Sequence, residues 1–210
     1  MYDCIVFDLD GTLTDPAVGI VASLNYSLSH HNYPPRTAAE LSQHIGPPLD
    51  EAFIHLTGSS DQPHINSLVA RYRERYATIG YAENRLYDGI PPVLQSLAAS
   101  GITLGVCTSK RADFAEKILA LFHLRHHFAF VHGGDIGITK DRQLASLLRD
   151  GLISSRSIMV GDRAVDLAAA HQNGLPSAGV LWGYGAPAEL SAENPRHLFH
   201  SPSELLALSA

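Results

Sequence analysis

Residues 4–15 read C-I-V-F-D-L-D-G-T-L-T-D. Cys4–Phe7 form a continuous apolar, β-rich run, and Asp8-Leu9-Asp10-Gly11-Thr12 follow without a spacer. A run this short and unalternated suits a strand buried on both faces, as in a parallel sheet under helices. Ligands of such sheets bind beyond the carboxyl ends of the strands, so the two aspartates stand at a crevice. Side chains two apart on an extended segment share a face, which brings Asp8 and Asp10 together. Close carboxylates repel unless one is protonated or a cation intervenes. Asp and Gly also end strands for turn reasons alone, so the remaining strand ends have to decide.

Four further runs have the same character: Ile102–Cys107, Phe128–His132, Ser157–Val160 and Ala178–Trp182. Helical spacing lies between them. Phe114, Ala115, Ile118, Leu119 and Phe122 make one apolar face within Arg111–Phe122. Asp141–Arg149 and Ala164–His171 read as helices, the second stopped by Asn173-Gly174. Strands alternating with helices predict an α/β fold, a doubly wound, Rossmann-like parallel sheet.

The first two runs are about ninety residues apart, far more than one crossover needs. That interval reads helical over Ala17–Asn32, Ala38–Leu56 with a break at Gly46-Pro47-Pro48, and His64–Ile79. The expected organisation is an α/β core of residues 1–14 plus 84–210, carrying an all-helical cap at 15–83. Gly183–Pro195 reads as a loop and Ser203–Leu208 as a short final helix.

Composition narrows the function. The 210 residues are 45% hydrophobic and 17% charged with a formal charge of −6, ordinary for a folded chain. No basic cluster supports a nucleic-acid partner, and no apolar run approaches the roughly 18–20 residues of a membrane span. Cys4 and Cys107 cannot build a disulfide framework, which favours a reducing compartment. No leader pattern precedes the first strand, so a cytoplasmic location is expected.

The other strand ends extend the pattern of the first. Val106-Cys107-Thr108-Ser109-Lys110 offers hydroxyls and backbone N–H groups at a helix start, a natural phosphate seat. Val160-Gly161-Asp162-Arg163-Ala164-Val165-Asp166 adds two carboxylates four apart, and Lys140 stands before the helix that follows the third strand. Four acids, a lysine and a hydroxyl pair at successive strand ends exceed what turn chemistry supplies by chance.

The order D-L-D-G-T-L-T-D, C-T-S-K, Lys140, G-D-R-A-V-D resembles the haloacid dehalogenase superfamily of phosphotransferases. The insert directly after the first motif is similar to the branch typified by phosphoglycolate phosphatases, as are I-G-P-P-L at 45–49, Tyr72-Arg73 with Tyr76, L-Y-D-G-I at 86–90 and G-V-L-W-G-Y-G at 179–185. The family's motif lysine often leads into proline, whereas here it reads T-K-D-R-Q.

The resemblance implies a phosphomonoesterase. Asp8 is the nucleophile that forms an aspartyl-phosphate, and Asp10 is the general acid and base. Thr108 and Ser109 bind the phosphoryl oxygens, Lys140 neutralises charge there, and Gly11 and Thr12 shape the loop. Mg²⁺ is expected on Asp8, the carbonyl of Asp10, and Asp162, with Asp166 in or beside its shell. The partner is a small phosphate ester: phosphoglycolate, a nucleoside monophosphate or a sugar phosphate. Monomer and homodimer both stay open.

Dehalogenases of the superfamily lack the second aspartate, here Asp10, which disfavours halide chemistry. A carbon–phosphorus hydrolase would want a cap lysine, and residues 15–83 contain none. A phosphosugar mutase stays as the alternative, because Arg36, Arg71, Arg73 and Arg75 can meet a second phosphate. A catalytically silent binding or regulatory homologue is the other. Tyr72–Tyr76 reads equally as substrate recognition or as a packed helix face, and Trp182 with Tyr184 as a cleft rim or a packed aromatic pair.

Overall fold

The computed structural model describes residues 2–209. Its elements, in chain order, begin with strand β1 (Cys4–Phe7) and the two-residue strand β2 (Thr14–Asp15). Helices α1 (Ala17–His30), α2 (Ala38–Ser42), α3 (Leu49–Thr57) and α4 (Gln62–Thr78) follow, and β3 (Arg85–Leu86) closes the excursion. Then come α5 (Ile90–Ala99), β4 (Thr103–Thr108), α6 (Ala112–Leu121), β5 (Phe130–Gly133) and α7 (Lys140–Arg149). β6 (Ile158–Gly161), α8 (Ala164–Gln172), β7 (Ser177–Val180), α9 (Pro187–Ala192) and β8 (His197–Phe199) complete the alternation. No described helix is long and apolar enough to cross a membrane.

Six strands form one sheet in the order β5-β4-β1-β6-β7-β8, and every neighbouring pair is parallel. This is the expected doubly wound α/β arrangement, with β1 at its centre. All four β1 residues are buried, as a strand covered on both faces requires. One face of the sheet packs Ile5, Phe7, Leu104, Val106, Ile158 and Val160 into the main core; the other packs Val6, Cys107 and Met159 against α7 and α8.

The register fixes the site. Phe7 is paired with Val106 on one side and with Val160 on the other. Asp8, one residue beyond Phe7, and Thr108 and Asp162, two beyond Val106 and Val160, therefore emerge together at one edge of the sheet. Lys140 opens the helix after β5, which pairs with β4.

Two features differ from the sequence expectation. A sixth strand, β8, and the six-residue α9 lie where a loop and its sequel were expected, and the final helix is a 3₁₀ helix over Pro202–Ser209. The break expected at Gly46-Pro47-Pro48 is present and divides 38–56 into two helices: α2 carries a Thr37–Glu40 capping box, and Gly46 at φ 105° turns the chain before α3.

Helices α1–α4 bury their own apolar cluster, which includes Leu24, Leu28, Phe53, Leu68 and Tyr76 and which Phe114 of α6 joins. Tyr76 and Phe114 meet edge-on with ring centroids 5.2 Å apart. β2 and β3 pair antiparallel at the two ends of the helical excursion.

Candidate active site

Asp8, Asp162 and Asp166 converge at the strand ends, with one ligand atom from each lying within 4.8 Å of the others. All three are buried, Asp8 at 4% exposure, Asp162 at 0% and Asp166 at 1%. The sequence explains their placement. Asp162 follows β6 directly, while Asp166 lies in the first turn of α8, where its Oδ2 accepts the Arg163 backbone N–H at 3.1 Å and the helix dipole favours a carboxylate.

Lys140 reaches into this cluster. Its Nζ lies 2.9 Å from Asp8 Oδ1 and 2.7 Å from Asp166 Oδ1, and it donates to the Cys107 carbonyl at 3.2 Å. Burial works against the ammonium charge, but the Asp166 and Asp8 carboxylates outweigh it and the Lys140 pKa is raised. Lys140 thus stays a cation.

Asp10 takes a different partner. Its Oδ2 is 2.7 Å from Lys110 Nζ, whereas its Oδ1 is buried with no hydrogen-bond partner. Burial raises the Asp10 pKa, Asp8 adds to the rise, and Lys110 opposes it. A proton is therefore held more readily on Asp10 than on an exposed carboxylate, as a general acid requires.

Thr108 is buried at the end of β4. Its Oγ1 accepts the Lys110 backbone N–H at 3.2 Å, and its carbonyl accepts from Gln143 Nε2 at 3.0 Å. These bonds curl the C-T-S-K segment over the cluster, with Ser109 half-buried on its wall. Thr12 is fully buried and donates to Asp162 Oδ1 at 3.2 Å, while the Tyr184 backbone N–H donates to Asp162 Oδ2 at 2.8 Å. Gly11 has φ +85°, and a Cβ there would stand 2.1 Å from Asp162 Oδ2. Only glycine lets this turn lie against the carboxylate.

Of the three buried carboxylates, Asp8 and Asp166 share one ammonium and Asp162 has none. Burial and the neighbouring Asp166 and Asp8 push the Asp162 pKa well above the carboxylate range, although Tyr184 N–H and Thr12 pull it down. Burial likewise raises Asp166, to about 6, against the pull of Lys140. Asp8 Oδ1 and Asp166 Oδ1 have the single Lys140 ammonium between them. An all-oxygen pocket holding more carboxylate charge than its one lysine neutralises fits a hard divalent cation such as Mg²⁺. Among the described residues this is the one group of three metal-capable side chains.

Comparison with known proteins agrees with this geometry. The family model described as haloacid dehalogenase-like hydrolase matches residues 5–180. The chain belongs to the haloacid dehalogenase-like hydrolase family. A 5′-nucleotidase of Pseudomonas aeruginosa is 40% identical over 93% of this chain and 90% of its own. A phosphoglycolate phosphatase of Agrobacterium fabrum is 34% identical over 85% of this chain and 80% of its own. The solved structure of Mycobacterium tuberculosis protein tyrosine kinase A superimposes with a TM-score of 0.84 at 32% identity, covering 100% of this chain and 98% of that one. The expectation of a haloacid dehalogenase-like hydrolase of the phosphatase kind is met.

Other side chains complete the surroundings of the site. Lys110, the last residue of C-T-S-K and without a role in the sequence reading, is the ion-pair partner of Asp10. Gln143, which the sequence places only within a helix, donates to the Thr108 carbonyl. Trp182 donates from Nε1 to the Thr12 carbonyl at 3.0 Å, and the Tyr184 hydroxyl bonds Asp15, so both aromatics brace the first motif. Tyr72 and Tyr76 are buried and stacked, centroids 5.3 Å apart with planes 11° from parallel, and both also line the cavity that reaches Asp10.

Proposed function

We propose that this hydrolase is a Mg²⁺-dependent phosphomonoesterase for small phosphate esters, working through an aspartyl-phosphate on Asp8. The observation that carries the reading is the convergence of Asp8, Asp162, Asp166 and Lys140 at adjacent strand ends, with Asp10 held separately by Lys110. Asp8, the Asp10 carbonyl and Asp162 would hold the metal, with Asp166 beside them. When bound, Mg²⁺ supplies Lewis-acid charge neutralisation for an anionic nucleophile approaching an anionic ester.

The chain's own groups do the rest. A carboxylate oxygen of Asp8 forms a bond to phosphorus as the bond to the leaving oxygen breaks, and protonated Asp10 delivers its proton to that oxygen. Asp10, now a carboxylate, takes a proton from water as the water oxygen bonds to phosphorus. Inorganic phosphate leaves and Asp8 is regenerated. Thr108 and Ser109 hydrogen-bond the phosphoryl oxygens, and Lys140 neutralises the charge that develops there. General acid–base assistance of this kind is worth roughly 10²–10⁴ in rate.

Residues 15–83 act as the cap that covers the site and selects the leaving group. The loop Gly46–Leu49 supports this, because it lines the same cavity as Asp10, Ser109 and Lys110. Phosphoglycolate, nucleoside monophosphates and sugar phosphates are the candidate esters. The test is phosphate release from a panel of these esters, with and without Mg²⁺, using Asp8→Asn as the blank. Metal-dependent release absent from the variant supports the reading. Phosphate migrating within a sugar, with none released, would replace it by the mutase.

A further inference from the structure

The cavity between the helices 17–78 and the sheet edge measures about 90 Å³ and opens on Asp10. One side is apolar, formed by Ile20, Leu24, Tyr72, Tyr76 and Phe114. The cations that line it are already matched. Lys110 is paired with Asp10 at 2.7 Å, Arg73 with Asp135 at 2.5 Å, and Arg111 with Asp113 through two contacts of 2.6 and 2.7 Å.

What remains unmatched is negative. Asp50, at the start of α3, lines the cavity and forms no ion pair among the described residues. The helix N-terminus favours its charge, but its buried Oδ1 has no hydrogen-bond partner. His44 lines the same cavity, and its Nε2 is also buried and unpartnered. Burial, together with His55 and Arg163, holds the His44 pKa below its ordinary value, so the ring offers no cation near neutral pH. A leaving group entering here meets an acceptor carboxylate, a neutral imidazole and an apolar wall. A carboxylate in that place would face Asp50 with no free cation to offset it.

Resting on the phosphatase reading of this same site, we infer that the leaving-group subsite takes an uncharged or cationic alcohol bearing hydrogen-bond donors, hydroxyl or amino, with an apolar face. Asp50 is the residue that accepts from it. The phosphate esters that qualify are nucleoside monophosphates and amino-alcohol phosphates. Phosphoglycolate, whose leaving group is itself an anion, does not.

The experiment compares kcat/KM for adenosine and uridine 5′-monophosphates, phosphoethanolamine, phosphoglycolate and para-nitrophenyl phosphate, in wild type and Asp50→Asn, at saturating Mg²⁺. Wild type should favour at least one of the donor-bearing esters over phosphoglycolate by about tenfold or more, the scale of one hydrogen bond to a charged acceptor. Asp50→Asn should cut the ratio of that ester to para-nitrophenyl phosphate by a similar factor and narrow the gap to phosphoglycolate. Which ester leads separates a nucleoside from an amino alcohol. Phosphoglycolate equal or better in wild type, or an unchanged ratio in the variant, overturns the inference. Because the wild-type comparison needs no variant to fold, it stands alone. No Mg²⁺-dependent release from any ester, para-nitrophenyl phosphate included, would instead overturn the phosphatase reading.

Discussion

Lys110 Nζ stands 2.7 Å from Asp10 Oδ2, and the same nitrogen donates to the Tyr76 hydroxyl at 2.8 Å. Tyr76 belongs to α4 of the helical excursion, and its ring also lies under the ammonium, 4.4 Å from centroid to nitrogen. The carboxyl assigned to acid–base work is therefore oriented by a cation that the excursion itself holds in place. A side chain fixed from two directions loses less freedom on reaching a reactive geometry.

Replacing Lys110 by Met should lower kcat on the order of 10–100-fold, less than the roughly 10²–10⁴ of losing general acid–base assistance outright, because Asp10 itself remains. The cation opposes the upward shift of the Asp10 pKa, so its loss raises that pKa further. Asp10 then keeps its proton to higher pH, and the acid-side limb of the kcat profile, which reports the carboxylate needed for the water step, should move up. A pH–rate profile of wild type and variant checks the sign.

Metal binding should show as stability. Three buried carboxylates, only two of them in contact with Lys140, repel one another, and a cation that binds only the folded chain relieves this. Thermal melts should rise saturably with Mg²⁺, by the equivalent of about 2.7 kcal/mol at 100 times the dissociation constant. Asp162→Asn should remove most of that response. A melt insensitive to Mg²⁺ in wild type would contradict the site.

Gly11→Ala should be severe for its size. The new methyl group would fall 2.1 Å from Asp162 Oδ2, and the residue would be held at φ +85°. Positive φ alone costs of order 1–3 kcal/mol in a side chain-bearing residue, and displacing Asp162 should remove activity as well. Denaturant unfolding and an assay of the folded fraction separate the two losses.

The two cysteines should be silent. Burial raises both thiols, Cys4 and Cys107, from about 9 to about 12. At pH 8 neither should react with a disulfide reagent in the native protein, and both should react on unfolding. The unfolded chain loses these protons near pH 9 while the folded chain keeps them, so stability falls as pH rises from 9 towards 12. Native labelling at pH 8 would count against the burial.

The sequence was most legible where short-range physics decides. Cys4–Phe7 is a strand because four apolar residues run into D-L-D-G-T, and the strand ends carry their polar residues in plain sight. It was less legible at β8: His197-Leu198-Phe199 is three residues at a sheet edge, too short and too polar to show a period. The contacts that tune the site were hidden for another reason. Tyr76 meets Lys110 across 34 positions, and Tyr184 serves Asp162 through its backbone N–H across 22. No side-chain pattern announces a main-chain donor or a partner so distant in the chain. The division of Ala38–Leu56 into α2 and α3 was signalled by Gly46-Pro47-Pro48, but the left-handed turn at Gly46 that brings this loop against Arg163 was not.

The central claim is that Asp8 carries the phosphoryl group. Acid-quenched enzyme, sampled during turnover of para-nitrophenyl phosphate with Mg²⁺, should yield by peptide mass spectrometry one phosphoryl group on the peptide containing Asp8. The Asp8→Asn protein, folded by its melt, should show neither the adduct nor turnover. Substantial turnover in that variant, or a phosphoryl group trapped on another residue, would contradict the account.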